Sequence, residues 1–166
     1  MTKNLFRKIA VFVSTLFLAL TVVFAHKIYL NRQGIFNYAA WNGNITLMKS
    51  IALLGIDVDS PGCNYQTCPP PIVLAAWYGE NEAVLYLLNQ GADINNKQNY
   101  GRTALMMAAY FGREDTVKLL ISNGANINQK SVIIGEDESS GETALDFAKS
   151  NEREKIVQIL QNAGAK

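Results

Sequence analysis

Histidine is nearly missing from this chain of 166 residues: only His26 is present. That all but excludes an enzyme that uses histidine as general base or metal ligand. Cysteine is almost as scarce, with Cys63 and Cys68 alone. With no second cysteine pair and no histidine nearby, a zinc site lacks ligands, and C-x4-C is not the C-x2-C spacing of a redox pair. A nucleophile elbow, a phosphate-binding Gly loop and a repeated carboxylate pair are also absent. The acids Glu136, Asp137 and Glu138 are consecutive rather than alternating, so they do not form a calcium loop. A basic excess is lacking too. Of 15 basic and 14 acidic residues, Lys3, Arg7 and Lys8 fall in the first 25 positions, leaving 12 against 14 in the remainder. Nucleic-acid binding needs a basic stripe, and none is written here. These absences point away from catalysis, cofactor, metal and nucleic acid.

What the chain does contain is repetition. Ala75-Ala76-Trp77-Tyr78-Gly79-Glu80 with Leu87-Leu88-Asn89-Gln90-Gly91-Ala92-Asp93-Ile94-Asn95 returns 33 positions later as Ala108-Ala109-Tyr110-Phe111-Gly112-Arg113 with Leu120-Ile121-Ser122-Asn123-Gly124-Ala125-Asn126-Ile127-Asn128. Traced outward, the unit occurs four times, with Gly55, Gly91, Gly124 and Gly164 spaced by 36, 33 and 40 residues. Val84, Leu87 and Leu88, then Val117, Leu120 and Ile121, stand at i, i+3 and i+4, which gives each second helix one apolar stripe. Ala75-Ala76 and Ala108-Ala109 allow close approach of the first helices, and the glycine after each apolar pair suits a left-handed helix end. One such helix pair buries too little surface to offset its ordering entropy, so the core forms by stacking neighbours.

These residues resemble the ankyrin repeat. Gly101-Arg102-Thr103-Ala104-Leu105-Met106-Met107-Ala108-Ala109, Val117-Lys118-Leu119-Leu120 and Gly124-Ala125-Asn126-Ile127-Asn128 follow its pattern most closely. The resemblance implies an all-α repeat fold of about four helix-turn-helix units with short β-hairpin-like loops, over residues 34–166 (units near 34–66, 67–99, 100–139 and 140–166). The family's histidine is replaced by Val73, Met106 and Asp146, which puts its inter-repeat hydrogen bonds in question. Asp57, Asp59 and Asp93 occupy the family's Asp-x-Asn position, where a short polar side chain bonds the turn backbone.

Ahead of the repeats, the basic residues Lys3, Arg7 and Lys8 precede an apolar run from Ile9 to Ala25 that closes on Val23-Phe24-Ala25. This layout predicts a secretory signal over 1–25 with cleavage after Ala25, followed by a linker at 26–33. The alternative is a retained membrane anchor at 9–25. The repeats are accordingly expected in the periplasm or secreted, or held at the inner membrane. In an oxidising compartment Cys63 and Cys68, flanking a Pro/Gly turn, are expected to form a disulfide, with two free thiols as the alternative. The longest insertion, 129–141, carries the acidic triplet 136–138, which reads either as a solvated loop tip or as contact for a basic partner or cation. Asn44-Ile45-Thr46 matches a glycosylation acceptor at a helix start.

In ankyrin-like arrays, partners touch the hairpin tips and the two positions after the Ala-Ala pair. Carried onto this chain, the groove positions are Trp41, Asn42, Trp77, Tyr78, Tyr110, Phe111, Ser150 and Asn151. The tips include Gln66, Thr67, Asn99, Tyr100 and Arg102, with Leu74 and Met107 one helix turn earlier. The partner-binding set is therefore Trp41, Trp77, Tyr78, Tyr100, Arg102, Tyr110 and Phe111, because aromatic residues and Arg dominate interface hot spots. The competing reading packs the same rings between adjacent repeats. The expected function is a monomeric, non-enzymatic module binding an unidentified protein, either an inhibitor or immunity-type protein or an accessory factor for an envelope enzyme. The alternative from another class is an envelope protein that binds or hydrolyses carbohydrate, with the Trp/Tyr groove as a sugar platform.

Overall fold

A computed structural model of the chain describes residues 2–62, 68–132 and 141–166. The chain divides after Arg32 into two units, and everything below concerns the second, Gln33–Lys166, unless stated. The helices are α1 (Thr2–Trp41), α2 (Ile45–Ala52), α3 (Pro71–Tyr78), α4 (Asn81–Asn89), α5 (Ala104–Tyr110), α6 (Glu114–Ser122), α7 (Ala144–Ser150) and α8 (Glu154–Asn162), with a 3-10 turn at Asn99–Gly101. Among the described residues there is no strand, only one isolated antiparallel bridge between Lys97 and Thr103. Residues 26–33, expected as a linker, instead continue α1, because neither proline nor glycine stands between His26 and Gln33 to stop the helix. The cleavage position foreseen after Ala25 lies inside that same helix. Among the described residues no helix is long and apolar enough to cross a membrane.

The end of α1 with α2, then α3 with α4, α5 with α6 and α7 with α8, make four successive helix pairs. First helices pack on one another in the order α3, α5, α7, and second helices in the order α2, α4, α6, α8. The double-alanine positions are what lets the first layer close up: Ala39, Ala40, Ala75, Ala76, Ala108 and Ala109 are all fully buried. The stripe Val84 and Leu87 on α4, Val117 and Leu120 on α6, and Ile156 and Leu160 on α8 fills the space between layers. Leu88 and Ile121, the last members of the anticipated stripes, are half-buried.

Helix ends are closed by local chemistry. Thr103 and Thr143 cap α5 and α7, each accepting a hydrogen bond from a backbone N–H three residues on. Asn44, in the glycosylation-acceptor match, caps α2 through its side-chain oxygen, which accepts from the Leu47 N–H at 2.9 Å. The missing family histidine is replaced unequally. At Asp146 the carboxylate accepts from both the backbone N–H (2.9 Å) and the hydroxyl (2.7 Å) of Thr143, whereas at Met106 the sulfur meets the Thr103 N–H at 3.4 Å.

Between units, one ladder runs the length of the stack and a second joins units two to four. Asp59, Asn95 and Asn128 each accept, through a side-chain oxygen, the backbone N–H of the next unit's Asp93, Asn126 or Lys166 at 2.8–3.0 Å. Asp57, Asp93 and Asn126 meanwhile close their own turns, accepting from the N–H two residues on. On the other side, Arg113 donates from Nε to the carbonyl of Trp77 (3.0 Å) and Arg153 to that of Tyr110 (3.4 Å), each satisfying the end of the preceding unit's first helix. These arginines also explain the glycines before them. Gly79 and Gly112 hold φ of +85° and +77°, and a Cβ there would sit 3.1 Å from the Arg113 side chain and 3.2 Å from that of Arg153. In the last unit the same place is taken by Glu152, at φ +56°.

Candidate partner-binding groove

α3 begins at Pro71, whose ring presets the first helical turn, and ends at Gly79. That length places Trp77 and Tyr78 in its last turn, just where Tyr110 closes α5 and Trp41 closes α1. The rings form one continuous series. Tyr38 meets Trp41 edge-on (centroids 5.2 Å), Trp41 meets Tyr78 (5.4 Å), Tyr78 stacks with Trp77 (5.9 Å) and Trp77 with Phe111 (4.9 Å). Phe111 then meets Tyr110 (4.8 Å), and Tyr110 meets Phe147 (6.0 Å). Pairs of this geometry contribute about 0.5–1.5 kcal/mol each beyond the area they bury.

Around part of this series the surface hollows into a cavity of about 410 Å³, within the range of ligand-sized pockets. Trp41, Trp77 and Tyr78 form one wall, Leu74 and Met107 the floor positions one helix turn earlier, and Tyr100 with Arg102 the tip of the loop between units two and three. Pro69 and Gln98 complete it. Five of the seven residues picked from the sequence are thus brought to one cavity. Tyr110 and Phe111 are not: Tyr110 is exposed along the ring series, and Phe111 turns to a second cavity shared with Glu114, Arg153 and Lys155. Trp77 is half-buried, so its ring both packs against the next unit and lines the cavity. Of the remaining groove positions, Ser150 and Asn151 bond the Phe147 carbonyl at the end of α7.

The loop tip is held under strain. Tyr100 adopts φ +64°, a left-handed conformation that costs a non-glycine residue about 1–2 kcal/mol. It is kept there by a tight turn, in which Gln98 N–H donates to the Arg102 carbonyl and Gly101 N–H to the Gln98 carbonyl. From the next loop, Val132 N–H donates to the Tyr100 carbonyl at 2.6 Å. The result is a Tyr100 ring that is 53% exposed at the cavity mouth. The Arg102 guanidinium lies 5.9 Å from the Tyr100 ring centroid and 5.4 Å from that of Phe147.

Several anticipated features fall elsewhere. Cys63, Gln66 and Thr67 lie outside the described residues, as does the acidic triplet 136–138. The ends of that long insertion are joined, with Ser131 N–H donating to the Glu142 carbonyl at 2.9 Å. Among the described residues no group of His, Cys, Asp or Glu is arranged to hold a metal ion. Sequence reasoning missed Tyr38, Phe147, Pro69 and Gln98. For two of them a signal was present: Tyr38 precedes Trp41 by one helix turn, and Phe147 occupies the unit position of Leu74 and Met107. The paired arginines Arg113 and Arg153 also recur at one unit position and were not read as inter-unit contacts.

Among the described residues, Asp146 carries the one clear electrostatic perturbation. Burial pushes its carboxyl up, but the hydrogen bonds from the Thr143 backbone and hydroxyl, helped by the charges of Lys149 and Lys130, outweigh burial and hold it below the usual aspartate value. This residue serves the α7 cap and lies away from the cavity, so the perturbation is structural.

Two family profiles match the chain. One, described as ankyrin repeats (3 copies), covers residues 36–131, and the other, ankyrin repeats (many copies), covers 106–161. Among curated proteins none matches the chain. Ankyrin repeats generally mediate protein–protein interaction. With stacked helix pairs, their inter-unit ladders and a profile spanning more than half its length, this chain belongs to the ankyrin-repeat family.

Proposed function

We propose that the protein is a non-enzymatic interaction module that holds a protein partner in the aromatic cavity. The observation that carries this reading is the convergence of Trp41, Trp77, Tyr78, Tyr100 and Arg102 on one hollow, with Tyr100 presented from a strained backbone. Strain of that kind persists only where the surrounding structure over-determines it, and it clusters at binding sites. A free ring platform for sugar is the weaker reading, because Trp77 already stacks with Tyr78 and Phe111. The partner is of the kind an inhibitor or accessory factor would engage outside the cytoplasm. Support for export is the sequence alone: three basic residues, an apolar run to Ala25 and small or aliphatic residues at its close. In that compartment Cys63 and Cys68 would form a loop staple, worth at or below the low end of about 2–4 kcal/mol, a reading in keeping with the lack of a free thiol at Cys68.

Affinity capture with the full chain tests the binding claim. A Tyr78→Ala/Tyr100→Ala variant should lose the partner recovered by wild type while remaining folded, its stability lowered by about 1–3 kcal/mol for the two Tyr78 ring contacts removed. Equal recovery by both forms rejects the groove. Intact mass of chain recovered from the envelope tests export: a species beginning at His26 supports cleavage, the full mass in the membrane fraction supports the anchor, and a wholly cytoplasmic chain rejects both.

A further inference from the structure

Among the described residues, the cavity has one formal charge on its walls. Arg102 lines it, and among the described residues no Asp or Glu does. The guanidinium rests near two ring faces, and among the described residues it makes no ion pair and its N–H groups have no hydrogen-bond acceptor. Beside it, the Gln98 amide donates to the Met107 sulfur at 3.3 Å, a weak acceptor that an oxygen anion would readily displace. Everything else facing the hollow at Trp41, Leu74, Trp77 and Tyr78 is a ring or an aliphatic side chain. An apolar hollow with a planar, fork-shaped cation at its rim is complementary to a large apolar side chain standing next to a carboxylate.

Resting on the groove being the binding surface, we infer that its occupant is a polypeptide segment in which an Asp or Glu side chain sits beside a large apolar one. The carboxylate is taken by Arg102 with Gln98, and the apolar side chain enters between Trp41, Trp77 and Tyr78. An internal acidic side chain suits the site better than a chain end. Capture of a terminal carboxylate uses clusters of backbone N–H groups, whereas the donors on this wall are side chains. A cationic or quaternary-ammonium ligand, which aromatic walls alone would attract, is opposed by Arg102 at the same rim. Tyr100, held in its left-handed turn, flanks the guanidinium and shields the ion pair from water, which strengthens it.

The test pans the full chain, with its Tyr78→Ala, Arg102→Gln and Arg102→Lys forms, against random peptides whose C-termini are fused to the display scaffold. Wild type should enrich peptides with Asp or Glu adjacent to Trp, Phe or Leu. A synthetic, C-terminally amidated copy of the leading peptide should bind about tenfold more tightly than its Asn or Gln counterpart, the worth of one charge-assisted hydrogen bond. That difference should vanish on Arg102→Gln. Arg102→Lys keeps the charge but not the planar fork, so it should retain the acid preference at reduced strength even where Arg102→Gln folds poorly. Enrichment of apolar peptides without an acid, of basic peptides, or an acid preference that survives Arg102→Gln overturns the inference while leaving the groove reading intact. Failure of wild type to enrich any peptide over Tyr78→Ala removes the groove reading itself.

Discussion

At Glu152, the last unit departs from a rule the others keep. The residue that ends the first helix's turn is glycine in units one to three, as Gly43, Gly79 and Gly112, all at positive φ. In each case the following unit's Glu80, Arg113 or Arg153 leans on it, closing the space where a Cβ would stand. Glu152 is exposed, so its Cβ is tolerated and only the backbone cost remains. Glu152→Gly is expected to stabilise the protein by about 0.5–1 kcal/mol, measured by urea melts. Gly112→Ala should cost about 2 kcal/mol, since it meets both the backbone preference and the Arg153 side chain. Asp146 makes a separate prediction in pH. Its carboxyl lies below the ordinary value in the folded chain, so the stability it contributes is present above the unfolded value of about 3.9 and is lost as pH falls through the lower folded value. Melting temperature followed across that acid range should fall less steeply in Asp146→Asn than in wild type.

At the level of the helix pair, stability is shared rather than owned. α6 contributes Val117 and Leu120 to a core also built from α4 and α8, and Thr116 donates from its hydroxyl to the Asn81 side chain of the preceding unit at 2.7 Å. Leu120→Ala should therefore cost about 3–5 kcal/mol and lower hydrogen-exchange protection in α4 and α8 as well as in α6. Protection lost in α6 alone would mean that the units fold independently. The short helices need this coupling: seven to nine residues in α3 to α8 are too few to persist in water without neighbours.

For the Gln33–Lys166 unit as a whole, the decisive residue is Trp77, because it belongs to two systems at once. Its ring stacks on Phe111 of the next unit and lines the cavity. Being half-buried, it should lose about 2 kcal/mol of stability on change to Ala, roughly half of what a fully buried Trp loses, together with partner binding. Thermal melts paired with partner capture separate the two: loss of binding with no loss of stability would make Trp77 a pure contact residue, and the reverse a pure core residue.

The repeat length, the double-alanine helices, the apolar stripes and the glycine after each second helix were legible in the residues, because each depends on spacing within one turn or one unit. So were Trp41, Trp77 and Tyr78 as members of one surface, since they fall at the two unit positions that follow the alanine pair. Tertiary structure alone decided that Tyr110 and Phe111 diverge from the cavity and that Arg102 reaches Phe147 in the next unit. It also decided that Arg113 and Arg153 bind the carbonyls of the unit before. Spacing along the chain sets which face of a helix a side chain occupies. Which neighbour that face meets is set by how adjacent units stack, and that relation is not carried by any one unit.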